Sequence, residues 1–158
     1  EGYRSYFDYG EGIGIQTADM LDRFAEGDAI IHKDEERSHS AGNGTIMRLA
    51  PVVIAAHEKT TIEAIRRLAS ISARETHYSH EAEAGAEIFA VLLYNSIHET
   101  DKADIIDIAK HSSGQHYDAM LAKLLPLPDL ERLKDRQGYI VYTRQIALWG
   151  FLNYDTLT

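Results

Sequence analysis

Apolar residues recur along this chain at intervals of three and four, and the strict alternation of a half-buried strand is almost absent. The clearest run is Ala82, Ala86, Phe89, Ala90, Leu93 and Ile97. It predicts a helix from near Ser79 to about Ile97, with Ala86, Phe89, Ala90 and Leu93 buried. Ser79 is the expected N-cap, and Glu81 and Glu83 are placed to meet the positive end of the helix. The small residues Ala82, Ala84, Gly85 and Ala86 would let a second helix approach closely at its start. Ile62, Ile65, Leu68, Ala69 and Ser72 predict a helix over 61–74. Met20, Leu21 and Phe24 predict another, capped by Thr17 and ended by Gly27.

Ile105, Ile108 and Ala109 predict a helix between Thr100 and Gly114, and Tyr117, Met120, Leu121 and Leu124 one that Pro126 stops. Over 139–152 the pattern is apolar nearly all round, as in a buried helix. The stretch 45–57 is also mostly apolar, and Pro51 should kink that helix or sit near its first turns. Two stretches, 1–16 and 28–43, carry no period, and aperiodic loops of such length are usually functional or mobile. No repeat or linker interrupts the pattern, so the expectation is a single all-α domain over 1–158 with at least six helices.

Composition narrows the function classes. The 158 residues are 44% apolar and 26% charged, as in a soluble globular domain. Sixteen basic against twenty-five acidic residues give a net charge of −9, with no basic patch, which argues against nucleic acid as a partner. No apolar run approaches the roughly 20 residues that a membrane-spanning helix needs, and the first residues do not read as a signal peptide. There is no cysteine, which removes disulfides, thiolate metal sites and cysteine nucleophiles and fits a cytoplasmic location.

Candidate chemistry gathers in two segments. Ser40-Ala41-Gly42-Asn43-Gly44-Thr45 runs directly into an apolar helix. Glycines there allow close backbone approach to a ligand, and N–H groups at a helix start suit a phosphate or another anion. The alternative is a plain turn and cap, with Asn43 or Thr45 as the N-cap. The second segment is Thr76-His77-Tyr78-Ser79-His80-Glu81. Its two histidines precede the helix and lack the H-E-x-x-H order, so one histidine bonding a substrate is the better reading than a metal pair. Glu36-x-x-His39 has no second copy, and Gly10, Gly12 and Gly14 lack dinucleotide-binding spacing.

The stretch Gly42-Asn43-Gly44-Thr45-Ile46-Met47-Arg48-Leu49-Ala50-Pro51 resembles a signature of the ADP-ribosylglycohydrolases. Gly2-Tyr3-Arg4, Gly14-Ile15-Gln16-Thr17, Thr76-His77 and the segment 138–152 resemble further segments of that family, in the same order. The resemblance implies an all-α fold that hydrolyses the glycosidic bond of ADP-ribose, usually with two magnesium ions. It implies that Ser40, Gly42, Asn43 and Gly44 line the ADP-ribose cleft. It also implies that His77 contacts the ligand from the opposite wall, and a charge-assisted hydrogen bond is expected there.

The family's magnesium ligands lie in a Thr-Asp-Asp-Thr segment and a Gly-Gly-Asp-x-Asp-Thr segment, and this sequence contains neither. The chain therefore reads as the central part of the family fold. No catalytic residue is assigned to it, and no magnesium is expected on it alone. The alternative is a non-catalytic helical protein that binds a nucleotide or serves a structural role on the same scaffold. Apolar surface left where further helices would pack should favour self-association.

Overall fold

The structure, a computed structural model, describes residues 14–27, 41–77, 79–98, 101–102, 104–105, 107 and 138–154. The described residues form six α-helices and no strand: α1 (Ile15–Ala25), α2 (Gly44–Met47), α3 (Leu49–Ala56), α4 (Ile62–Arg74), α5 (His80–Ile97) and α6 (Ile140–Asn153). A turn of 3₁₀-helix, His57–Lys59, links α3 to α4. No described helix is long and apolar enough to cross a membrane. Ser40, the helix expected over 117–124 and most of that expected over 101–114 fall outside the described residues.

Local chemistry sets the helix ends. The Ser79 hydroxyl accepts from the N–H groups of Glu81 and Ala82, as expected, and Thr61 accepts from Ala64 N–H, so two orphan helix starts are satisfied. Gly27 ends α1 at a φ of 89°, a conformation that favours glycine. The start of α1 differs from expectation. Gly14, not Thr17, is the N-cap residue, because its carbonyl already accepts the Ala18 N–H at 3.0 Å.

The 45–57 stretch also differs, breaking into α2 and α3 at Arg48, where φ is −105° and ψ is 1°. Pro51 is the third residue of α3, where its missing N–H costs nothing.

Helix α5 is the centre of the fold. Its Ala86 and Ala90 pack with Leu49 and Val53 of α3 and with Ile65, Ala69 and Ala73 of α4. Its Ala82 and Ile88 pack with Ala41, Ile46, Ile140 and Val141 on another side. Burying Leu49, Val53 and Ile65 contributes about 1.5–3 kcal/mol each. The α4–α5 interface is the most extensive, edged by the Arg66–Glu87 ion pair at 3.3 Å and by a hydrogen bond from Ser70 to Glu83. Burial raises the Glu87 carboxyl above its usual pKa, and Arg66 opposes that shift.

The small residues at the start of α5 act as the sequence suggests. A Cβ at Gly85 would lie 2.7 Å from Ile140 Cδ1 and 2.9 Å from Arg144 Cζ and Nη1. Two expectations fail at this interface. Phe89 and Leu93 are only half-buried, because they face an apolar cavity of about 230 Å³ beside Leu148 and Phe151. In α6 the buried residues are Ile140, Val141, Arg144 and Gln145, and later positions are half-buried or exposed. Arg144 is 2% exposed, with its Nε donating to Ile140 O at 3.2 Å. Burial lowers its pKa to about 10, while the Glu81 charge opposes the shift. It therefore stays cationic at neutral pH.

Gly85→Ala and Gly150→Ala should have opposite effects. Alanine is about 1 kcal/mol better than glycine in a helix interior. At Gly150 a Cβ meets nothing within 4 Å, so a gain of about 0.5–1 kcal/mol is expected. At Gly85 the new methyl must displace Ile140 and Arg144, and overpacking of about 1–3 kcal/mol outweighs the helix gain. Urea unfolding of both variants reads the two signs; equal stabilisation by both would contradict the packing described.

Candidate functional site

The turn before α2 and the turn before α6 are stitched together. Asn43 N–H donates to Gly138 O at 2.9 Å, and Ile140 N–H donates to Ala41 O at 3.0 Å. Gly42 and Tyr139 form an isolated antiparallel bridge. The Asn43 side chain does not cap α2; its Nδ2 donates to Thr143 Oγ1 at 3.1 Å, one turn into α6. Two features of the anion-binding expectation change as a result. The Asn43 N–H is already taken, and α2 is only four residues long, so its dipole is weak.

His77 approaches this turn from the end of α4. Its backbone N–H donates to Ala73 O at 3.0 Å, and its ring Nδ1 lies 2.7 Å from Thr76 Oγ1. The opposite edge of the ring faces the glycines. A Cβ on Gly42 would sit 3.0 Å from His77 Nε2 and 2.8 Å from Gln16 Oε1. A Cβ on Gly44 would sit 3.1 Å from His77 Cε1. Neither glycine has a positive φ; Gly27 is the described glycine that does. Gly42 and Gly44 therefore answer a need for close approach, not for an unusual backbone conformation.

These segments surround a cleft of about 790 Å³. Gln16, Thr17 and Met20 of α1 line one side, Gly42, Asn43 and Gly44 another, and Glu75, Thr76 and His77 a third. Gly42, Asn43, Gly44 and His77 thus share one concavity, while Ser40 lies outside the described residues.

Arg48, which also lines the cleft, donates to Ser72 O at 2.6 Å and to Gly44 O at 3.3 Å. Sequence reasoning passed over Arg48, Gln16, Glu75 and Thr143 as site residues. Arg48 and Gln16 stood within the recognised segments, but nothing in a one-dimensional pattern links Thr143 to Asn43 across 100 residues.

His77 is 3% exposed. Burial, and secondly the Arg48 charge, lower its pKa to about 4. The ring is neutral at physiological pH, so its bond to a sugar hydroxyl has the strength of a neutral hydrogen bond, and charge assistance there requires an ionised ligand group. Among the described residues no group of three or more His, Asp or Glu side chains converges as a metal site. The described residues do not by themselves make a site for a magnesium pair.

The sequence model of the ADP-ribosylglycohydrolase family matches residues 1–157. No curated protein matches the chain, and no solved structure does.

The depressed histidine has a measurable consequence. Between pH 4 and 6.5 the unfolded chain binds a proton at His77 that the folded chain does not, so stability falls as pH drops through that window. From pH 7 to pH 5 this group alone should remove about 2 kcal/mol. Urea unfolding of the parent and of His77→Gln at both pH values checks it: the variant should lose less stability than the parent. An equal loss in both would show that His77 titrates normally.

Proposed function

The chain belongs to the ADP-ribosylglycohydrolase family, and from that membership we propose that the cleft between α1, the Gly42–Gly44 turn and His77 binds the ADP-ribose unit of an ADP-ribosylated substrate. The observation that carries the proposal is the packing of the His77 ring edge against two glycines at the wall of a cleft of about 790 Å³. Ligand sites commonly span about 300–1,000 Å³ and combine apolar lining with a few fixed polar groups. Met20 supplies apolar surface here, while Gln16, Asn43 and the His77 ring supply hydrogen-bonding groups. Arg48 places a positive charge in the wall, which suits a diphosphate.

The contribution assigned to these residues is binding and orientation. Family members cleave the glycosidic bond with magnesium held by acidic segments whose motifs this sequence does not contain. Magnesium, when bound to such carboxylates, supplies electrophilic stabilisation of charge. The described residues offer no place for it. The cysteine-free composition supports action in a reducing compartment such as the cytoplasm. The apolar residues of α6 that stay half-exposed, and Ile54, exposed at 60%, support self-association of the chain.

Calorimetric titration tests the binding reading. ADP-ribose should bind the full chain in the presence of an equal concentration of ribose, and His77→Ala should weaken it by roughly two- to tenfold, the worth of one neutral hydrogen bond. Absence of binding, or a His77→Ala variant with parental affinity, would remove the cleft from the ADP-ribose reading.

A further inference from the structure

Arg48 stands where the expected single helix breaks, and its guanidinium reaches two structures at once. One nitrogen donates to Gly44 O at 3.3 Å, where the glycine turn enters α2. The other donates to Ser72 O at 2.6 Å, in the last turn of α4. The residue after Ser72 is Ala73, whose carbonyl holds the His77 backbone N–H at 3.0 Å. His77 Cε1 in turn lies 3.1 Å from the position a Gly44 Cβ would take. The contacts close a circuit from Arg48 to Gly44, across to His77, back through Ala73 and Ser72, and so to Arg48.

We propose that Arg48 is a positioning residue, whose guanidinium bridges Gly44 O and Ser72 O and thereby fixes the spacing between the glycine turn and the His77 ring. A planar guanidinium can hold two carbonyls in a set geometry, whereas an ammonium is a single point charge that cannot bridge them in the same way. A cation is also well placed at the carbonyl end of α4. Among the described residues two charged side chains face the cleft around the His77 ring: Arg48, from the break between α2 and α3, and Glu75, from the end of α4. The α1 side presents the neutral Gln16 and Thr17. The Arg48 charge adds to the larger effect of burial in lowering the His77 pKa, so the side chain that spaces the walls also favours the neutral ring.

The inference deepens the ADP-ribose reading, and only its affinity readout rests on that reading. The test uses the full chain with Arg48→Lys and Arg48→Gln. Three quantities are read: backbone hydrogen exchange, His77 titration by NMR, and ADP-ribose affinity. Both variants should speed exchange about tenfold at two places, the Met47 amide beside the turn and the His77 amide after α4, with α1 amides unchanged. Faster exchange at His77 alone would mean that Arg48 merely caps α4, and would overturn the proposal. Arg48→Lys should keep the low His77 pKa by retaining the charge, and Arg48→Gln should let it rise. Both should weaken ADP-ribose by about tenfold, and parental affinity in Arg48→Lys would contradict the bridge.

If neither parent nor variants bind ADP-ribose, the ligand reading fails, while exchange at the two amides still decides the bridge. If the variants do not fold, the guanidinium of the parent decides it. Resolved, slowly exchanging Arg48 nitrogen resonances are expected, and a freely rotating, fast-exchanging group overturns the proposal.

Discussion

Ile140 and Arg144 occupy the space that any side chain at position 85 would need, and the glycine-turn wall of the cleft depends on this close approach of α6 to α5. With the two helices this close, the turn at Gly138–Tyr139 comes alongside Ala41–Asn43, and backbone hydrogen bonds join turns nearly 100 residues apart. His77 is held from the other side, by its N–H bond to Ala73 O of α4. The small-residue face of α5 therefore bears on one wall of the cleft and the end of α4 on the other. A buried cation accompanies the contact. Arg144 is tolerated there because its Nε has a carbonyl partner and the Glu81 charge offsets part of the desolvation.

The cleft itself is governed by close packing and low polarity around His77. The glycines at 42 and 44 admit the imidazole edge, and the burial that results keeps the ring uncharged. A neutral ring can both donate and accept, with Thr76 Oγ1 on one nitrogen and the cleft on the other. Such a group suits sugar hydroxyls, which present the same dual capacity, better than it suits a phosphate. The positive charge in the wall comes instead from Arg48, which already bonds the carbonyls on either side of it.

Much of this was legible in the sequence, and the failures have physical causes. The cap at Ser79 is side-chain chemistry acting within three residues, which a linear reading captures. The face of α5 was legible because its alanines repeat at helical spacing. The break at Arg48 was not, because the carbonyl that draws its guanidinium toward α4 lies 24 residues away. Phe89 and Leu93 look like core residues by period, yet the space opposite them is a cavity. Burial of Arg144 could not be read from a strip of letters, since it depends on Ile140 O, Glu81 and Tyr139 arriving together. At the site, the order of motifs pointed to Gly42, Asn43, Gly44 and His77, and the geometry explains their proximity. It also adds Gln16 and Thr143, whose places are set by tertiary contacts alone.

The central claim is that the glycine turn and His77 form the two walls of one ligand cleft. Its most direct test is amide and imidazole chemical-shift mapping of the full chain during titration with ADP-ribose. The account predicts saturable shifts concentrated at Gly42, Asn43, Gly44, Gln16 and the His77 ring, all within one cleft. Shifts confined to the apolar cavity between α5 and α6, at Leu93, Leu148 and Phe151, or none at all, would contradict it.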